Sequence, residues 1–385
     1  MEIMELINVK KYFEQMSSYE NIILFGCGAK GQQAVKILKE HGVEITDACD
    51  NNVELQGKEF IDNIFIQSFD EAIKGKKDFC VIITCAINSA LEIYNTIKSR
   101  DINIPVYHLS NPFKVENNLL RMDKPELYKE VNYNFELLED EESKQVYCDT
   151  INWKLCGDML PMQKYNTGKE ILAFFDKDII SVNEETTYVD VGAYTGDSIE
   201  SFLIFSGGDF KKIIGFEADK NNFEALEYFI KYSRVKNIEI YNMALWDTEE
   251  EKVFYTNSVN KDIHYDSPNL FQSIDQIADN KTLSEIQHKG HLKQLTLQTS
   301  TLDKILSNEV PTIIKINALA ADYNILLGGV EILSQYKPTL ILEFGVKEDD
   351  VFHMMKTIKE KNGAYRFYMR RKKIYGDIKT ILYAV

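Results

Sequence analysis

"TTYVDVGAYTGDSIESFLIF", residues 186–205, decides the fold. A β-branched apolar run leads into a glycine-marked turn, and an amphipathic helix follows, which is the βα unit of a parallel sheet. Asp190, Gly192 and Gly196 give D-x-G-x-x-x-G, with Ala193 inside the turn. That spacing differs from the dinucleotide fingerprint G-x-G-x-x-G. The next strand, "KKIIGFEAD" (211–219), ends in Glu217, 21 residues beyond Gly196. A carboxylate there can accept hydrogen bonds from both hydroxyls of a ribose.

The pattern then continues toward the C-terminus. Helix "NNFEALEYFIKYS" (221–233) and strand "NIEIYNMALWD" (237–247) precede "PTIIKIN" (311–317) and helix "ADYNILLGGVEILSQY" (321–336). Strand "PTLILEF", helix "DDVFHMMKTIKEKNG" and two closing strands, "AYRFYMRRKK" and "KTILYAV", complete the chain. This order, with a terminal antiparallel pair, is that of the seven-stranded sheet of class I methyltransferases.

A smaller α/β unit comes first. "NIILFGCGAKGQQAVKILKEHG" (21–42) places Gly26, Gly28 and Gly31 as G-x-G-x-x-G between a strand and a helix. Glycines there allow a tight turn and a close approach to a pyrophosphate at the helix N-terminus. Asp50, 19 residues after Gly31, is the expected ribose acceptor of that unit. Strands "FCVIITCAI" and "IPVYHL" extend it to about residue 110. The expected organisation is a Rossmann-like domain over 1–110, binding a nucleotide or serving as a scaffold for homo-oligomers. A helical connector over 111–170 packs on the second domain, and a methyltransferase domain fills 171–385.

Bulk properties exclude several classes. A net charge of −16 disfavours a broad nucleic-acid or anionic-membrane surface. The apolar runs fall far short of the roughly 20 residues a membrane span needs. The N-terminus lacks a secretory pattern, so a cytoplasmic location is expected. Six cysteines without paired spacing read as small buried hydrophobes, and no metal is expected. "RFYMRRKKIYG" (366–376) reads as a solvated hairpin rather than a phosphate contact.

In order, "YVDVGAYTGDSIESF", "IIGFEADKNNFEAL", "MALWDTEEEKVFY", "TLDKIL" and "IIKIN" resemble the FkbM-type family of S-adenosylmethionine-dependent methyltransferases. The resemblance runs over roughly residues 140–385. More loosely, it extends over most of the chain, as in members with an extra N-terminal Rossmann-like domain. It implies S-adenosylmethionine as cofactor, bound by Asp190, Gly192, Ala193, Gly196 and Glu217, with Gly192 near its methionine part, Glu217 on its ribose, and Ala244 and Leu245 lining the adenine pocket. It also implies a small or glycan-linked acceptor.

One segment departs from the family pattern. Where members usually read K-x-D-x-E-G-x-E, this chain reads "KINALAAD" (315–322). Lys315 stays, while Asn317, Leu319 and Ala320 replace two acids and the glycine, and Asp322 takes the last acidic position. Asn317 is expected to aim the lone pair of an amine acceptor, since a neutral amine needs no strong base, with nitrogen only slightly favoured over a hydroxyl oxygen. Lys315, Asp322 or a loop histidine such as His264 would hold the rest of the acceptor. His264, His288 and His291 lie in a polar insertion, 256–295, which reads as a lid or specificity loop. The alternative reading is a noncatalytic partner subunit that binds S-adenosylmethionine or a nucleotide but has lost the acceptor-site acids.

Overall fold

The computed structural model describes residues 6–100, 103–109, 125–165, 172, 174–257, 272–273, 292–318, 321–345, 350–374 and 377–385. The chain divides into two compact units. The first comprises Met1–Phe135, Glu141–Thr167 and Lys373–Ile378; the second comprises Glu136–Asp140, Gly168–Lys372 and Lys379–Val385.

The first unit is built on a six-stranded sheet of β1 (Asn21–Phe25), β2 (Asp47–Cys49), β3 (Glu59–Ile61), β4 (Ile64–Gln67), β5 (Phe79–Ile83) and β6 (Val106–His108), in the order β3-β4-β2-β1-β5-β6. All pairs are parallel except β3 with β4. Alternate residues of β1 feed two cores. Ile22 and Leu24 pack with Val35 and Leu38 of the helix Ala29–Glu40, while Ile23 and Phe25 pack with Val81, Ile83 and Ala90. This two-sided burial explains why β1 and β5 read as continuous apolar runs. The β3–β4 hairpin has no strong apolar alternation and escapes a sequence reading.

The connector differs from its expected placement. Helix Glu141–Cys156 groups with the first unit rather than the second. Its Asn152 side chain accepts from the Ile7 N–H (2.8 Å), and Cys156 joins the cluster of Tyr12, Phe13 and Met16. Just beyond it, Asp158 Oδ2 accepts from the Tyr12 hydroxyl (3.0 Å).

The second unit carries the seven-stranded sheet. Its strands are β7 (Thr187–Val191), β8 (Lys212–Glu217), β9 (Ile238–Asn242), β14 (Ile313–Ile316), β15 (Thr339–Glu343), β16 (Phe367–Ile374) and β17 (Asp377–Ala384), ordered β16-β17-β15-β14-β7-β8-β9. The four ladders joining β9, β8, β7, β14 and β15 are parallel, and β17 runs antiparallel to β15. Chain direction reverses its progress across the sheet between β7 and β14. In open α/β sheets that switch point is where ligands bind, outside the carboxyl ends of the strands. β10 (Ala244–Leu245), β11 (Glu251–Asn257), β12 (Gln272–Ser273) and β13 (Leu292–Ser300) form a separate four-stranded sheet, and β11 and β13 pair antiparallel at the two ends of the polar insertion.

The basic C-terminal run is not a solvated hairpin. Arg370, Arg371 and Lys372 are buried, because each meets a polar partner inside the second unit. Arg370 clasps Asp140 with two hydrogen bonds (2.7 and 3.2 Å), Lys372 meets Asp176 (2.7 Å), and Arg371 donates to Thr380 Oγ1 (2.6 Å).

Candidate functional site at the carboxyl ends of β7, β8 and β14

The turn after β7 is shaped by close backbone approach. Gly192 has φ +75, and a Cβ on it would lie 2.2 Å from the Asn317 carbonyl oxygen, so only glycine lets β14 end beside this turn. The Asn317 N–H donates to the Val191 carbonyl (3.0 Å). Gly196, φ +101, precedes the helix Asp197–Ser206, and a Cβ on it would meet the Phe229 ring at 2.4 Å. Ala193 is fully buried between these glycines.

Asp190 does not face a ligand. It is 0% exposed. Its Oδ1 accepts from Lys315 Nζ (2.9 Å), and its Oδ2 accepts from the hydroxyls of Tyr188 (3.0 Å) and Ser198 (2.6 Å). Lys315 also donates to the Gly192 carbonyl (2.9 Å) and to Ser198 Oγ (3.3 Å). The motif's acid and the strand-end lysine therefore form one buried network beneath the turn. This corrects two expectations: Asp190 and Lys315 brace the site from below, and Lys315, 1% exposed, does not hold an acceptor. Asp322 is displaced from that role too. It is 1% exposed, its Oδ1 accepts from the Ala318 N–H (3.0 Å), and burial raises its carboxyl above the usual range.

Glu217 sits at the end of β8, where a ribose acceptor is expected. Oε2 accepts from the Tyr194 N–H and Oε1 from the Asp219 N–H, both at 2.9 Å. Burial raises its carboxyl, and those two backbone bonds, with a third from the Asn222 side chain, oppose the rise. With these three donors in place, the carboxylate still has lone-pair capacity for a hydroxyl donor. Asp219 in turn caps the helix Lys220–Ser233 through the N–H groups of Asn221 and Asn222. The turn, the carboxylate and the next helix are thus linked through successive hydrogen bonds.

Asn317 is half-buried at the end of β14, and its side-chain amide has no hydrogen-bond partner among the described residues. Ala244 and Leu245 are buried on β10. Trp246 packs edge-on against Phe254, with Lys252 Nζ 4.5 Å from its ring centroid, so it belongs to a small core. His264, His288, His291, Leu319 and Ala320 lie outside the described residues. Tyr194 is the residue a motif reading passes over. Its signal is a bulky side chain between two turn glycines, in a left-handed conformation with φ +50.

In the first unit, Gly26 has φ +111, and a Cβ on Gly31 would lie 2.1 Å from the Gly26 carbonyl oxygen. These two glycines serve the packing of helix on strand. A Cβ on Gly28 would meet nothing within 4 Å. Asp50, expected to hold a ribose, is tied to its own loops: Oδ2 accepts from the Cys27 N–H (2.7 Å) and Oδ1 from the Asn52 N–H (2.8 Å). Burial pushes the Cys27 thiol up to about 12, which keeps it from acting as a nucleophile near neutral pH.

Comparison with known proteins agrees with this geometry. Residues 190–367 match the family described as the methyltransferase FkbM domain. No curated protein sequence matches the chain. Among solved structures, the chain is similar to a methyltransferase FkbM from Methylobacillus flagellatus, with a TM-score of 0.64 at 16% identity over 98% of this chain and 93% of that one. A precorrin-6y C5,15-methyltransferase from Geobacter metallireducens matches with a TM-score of 0.31 at 10% identity, over 58% of this chain and 94% of that one. On the glycine turn and the sheet order described above, the second unit carries a match to the FkbM methyltransferase domain over residues 190–367.

Proposed function

We propose that the second unit binds S-adenosylmethionine along the Gly192–Gly196 turn and transfers its methyl group to a nitrogen or oxygen of a small or glycan-linked acceptor. The observation that carries this reading is the convergence of Gly192, Glu217 and Asn317 at the carboxyl ends of three neighbouring strands. Glu217 supplies carboxylate oxygens for the ribose hydroxyls, the half-buried Gly192 offers the methionine part an approach with no side chain in the way, and Ala244 with Leu245 offers an apolar edge for adenine. The cofactor, when bound, supplies an electrophilic methyl group. The protein's own task is then to hold the acceptor atom in line with it, and orientation of that kind supplies much of the rate of a displacement.

Asn317 fits the aiming role. Its amide oxygen can accept a hydrogen bond from an amine N–H and so direct the nitrogen lone pair, without acting as a base. A hydroxyl acceptor would gain from a base that removes its proton, and the two positions where family members usually place acids carry Asn317 and Leu319 instead. Nitrogen is therefore slightly favoured over oxygen.

The test is transfer of isotopically labelled methyl from S-adenosylmethionine to a panel of amino sugars, their hydroxyl counterparts and glycan extracts, read by mass spectrometry. On an acceptor that works, Asn317→Ala should lower kcat by about ten-fold or more while cofactor affinity stays within about two-fold, on the order expected when a group that orients the acceptor is lost. Unchanged turnover in Asn317→Ala would remove the aiming role. Cofactor binding with no product across the whole panel would favour the noncatalytic subunit.

A further inference from the structure

Tyr194 presents an unexplained cost. A bulky aromatic at φ +50 occupies a region that glycine and asparagine tolerate far better, and such strain persists where the surroundings enforce it, often at ligand sites. What enforces it here is the backbone: the Tyr194 N–H is held by Glu217 Oε2, and the Gly196 N–H donates to the Ala193 carbonyl (2.8 Å). The side chain gains nothing visible in return. It is 44% exposed, stacks on no other ring, and its hydroxyl bonds to no group among the described residues. It stands between Gly192 and Gly196, next to the Glu217 carboxylate.

Its surroundings are anionic. Partial burial, and after it the nearby carboxylates of Asp197, Glu217 and Asp219, raise the pKa of the phenol above the ordinary tyrosine value. An electron-rich ring face beside three carboxylates favours a cation. S-adenosylmethionine carries a positive sulfur, whereas the product of methyl transfer, S-adenosylhomocysteine, is neutral at that atom.

We infer that Tyr194 is a selectivity residue whose ring faces the sulfonium of S-adenosylmethionine and favours the charged methyl donor over the spent, neutral cofactor. The inference rests on the cofactor reading of this site. It assigns the aromatic ring a task that the glycine turn does not perform, because the turn treats donor and product alike. A ring that loosens its hold once the sulfur becomes neutral also assists product departure.

The experiment measures affinities of both ligands for the full chain by calorimetry, in the wild type, Tyr194→Phe, Tyr194→Leu and Tyr194→Asn. The expected result is that Tyr194→Phe keeps the ratio of the two dissociation constants, while Tyr194→Leu and Tyr194→Asn shift it toward S-adenosylhomocysteine by roughly three- to thirty-fold. Tyr194→Asn should also melt at a higher temperature than the wild type, because asparagine relieves the strain, so it stays informative if the leucine variant folds poorly. If Tyr194→Leu and Tyr194→Asn weaken both ligands equally, or neither, the sulfonium contact is overturned while the cofactor reading stands. If the wild type binds neither ligand, the cofactor reading fails and takes this inference with it.

Discussion

Lys315 shows how a single residue changes meaning between sequence and structure. Read along the chain, it opens the segment that should line the acceptor site. In the sheet it lies directly opposite Asp190 in the β14–β7 register, and its three N–H donors meet three acceptors: Asp190, the Gly192 carbonyl and Ser198. Its ammonium also lies 5.0 Å from the centroid of the Phe174 ring. Replacing one member of a buried ion pair leaves the other uncompensated. Lys315→Met should therefore destabilise the second unit by about 3–5 kcal/mol in urea unfolding. Adding Asp190→Asn should recover part of that loss, and a loss below about 1 kcal/mol in the single variant would show that the pair does not brace the turn. The sequence did hold a signal for this pairing, since opposite charges stand in corresponding positions of two otherwise apolar parallel strands. Asn317 was legible by its place at a strand end. Tyr194 was not, because its importance comes from a backbone angle that no spacing encodes.

Elements that join distant parts of the chain were harder to read than the strands themselves. The central strands could be identified because two-sided burial demands unbroken apolar runs such as "TYVDV" and "FCVII", and their order follows from the alternation of strand and helix. The segment Glu141–Cys156 reads as helical, but its apolar residues do not reveal which core they will join, and the helix groups with the first unit. The Tyr12–Asp158 contact lies at the far end of that helix and gives it a pH signature. Burial raises the Asp158 carboxyl to about 6, while the Tyr12 hydroxyl and the Leu160 N–H act in the opposite sense. A carboxyl whose folded value lies above its unfolded one contributes stability at low pH, and that contribution is lost as pH rises through about 6. His108 has the opposite sign. Burial lowers its ring to about 4, so its contribution is present above its unfolded value and is lost as pH falls toward 4. The two oppose each other in the wild type, and the variant Asp158→Asn separates them. Its stability relative to the wild type should be greatest at pH 7, by at most about 3 kcal/mol, and should shrink by pH 5. A difference that does not change with pH would mean that Asp158 titrates normally.

At the scale of the whole molecule, the chain combines two α/β units, and the chemistry argued here belongs to the second. No helix among the described residues is long and apolar enough to cross a membrane. The first unit keeps its glycine turn, with Gly26 and Gly31 committed to packing and Asp50 bonded to its own loops, so its fold accounts for most of the motif. The second unit instead places the Glu217 carboxylate, the Asn317 amide, which has no partner among the described residues, and an exposed aromatic around one turn at the switch point of its sheet. The most direct test of that arrangement is calorimetric titration of S-adenosylmethionine into the full chain and into Glu217→Ala. The account predicts one site per chain in the wild type. In the variant it predicts affinity lower by ten-fold or more, because two ribose hydroxyls lose a charged acceptor worth roughly 1.5–3 kcal/mol. An isotherm left unchanged by Glu217→Ala, or no binding by the wild type, would contradict it.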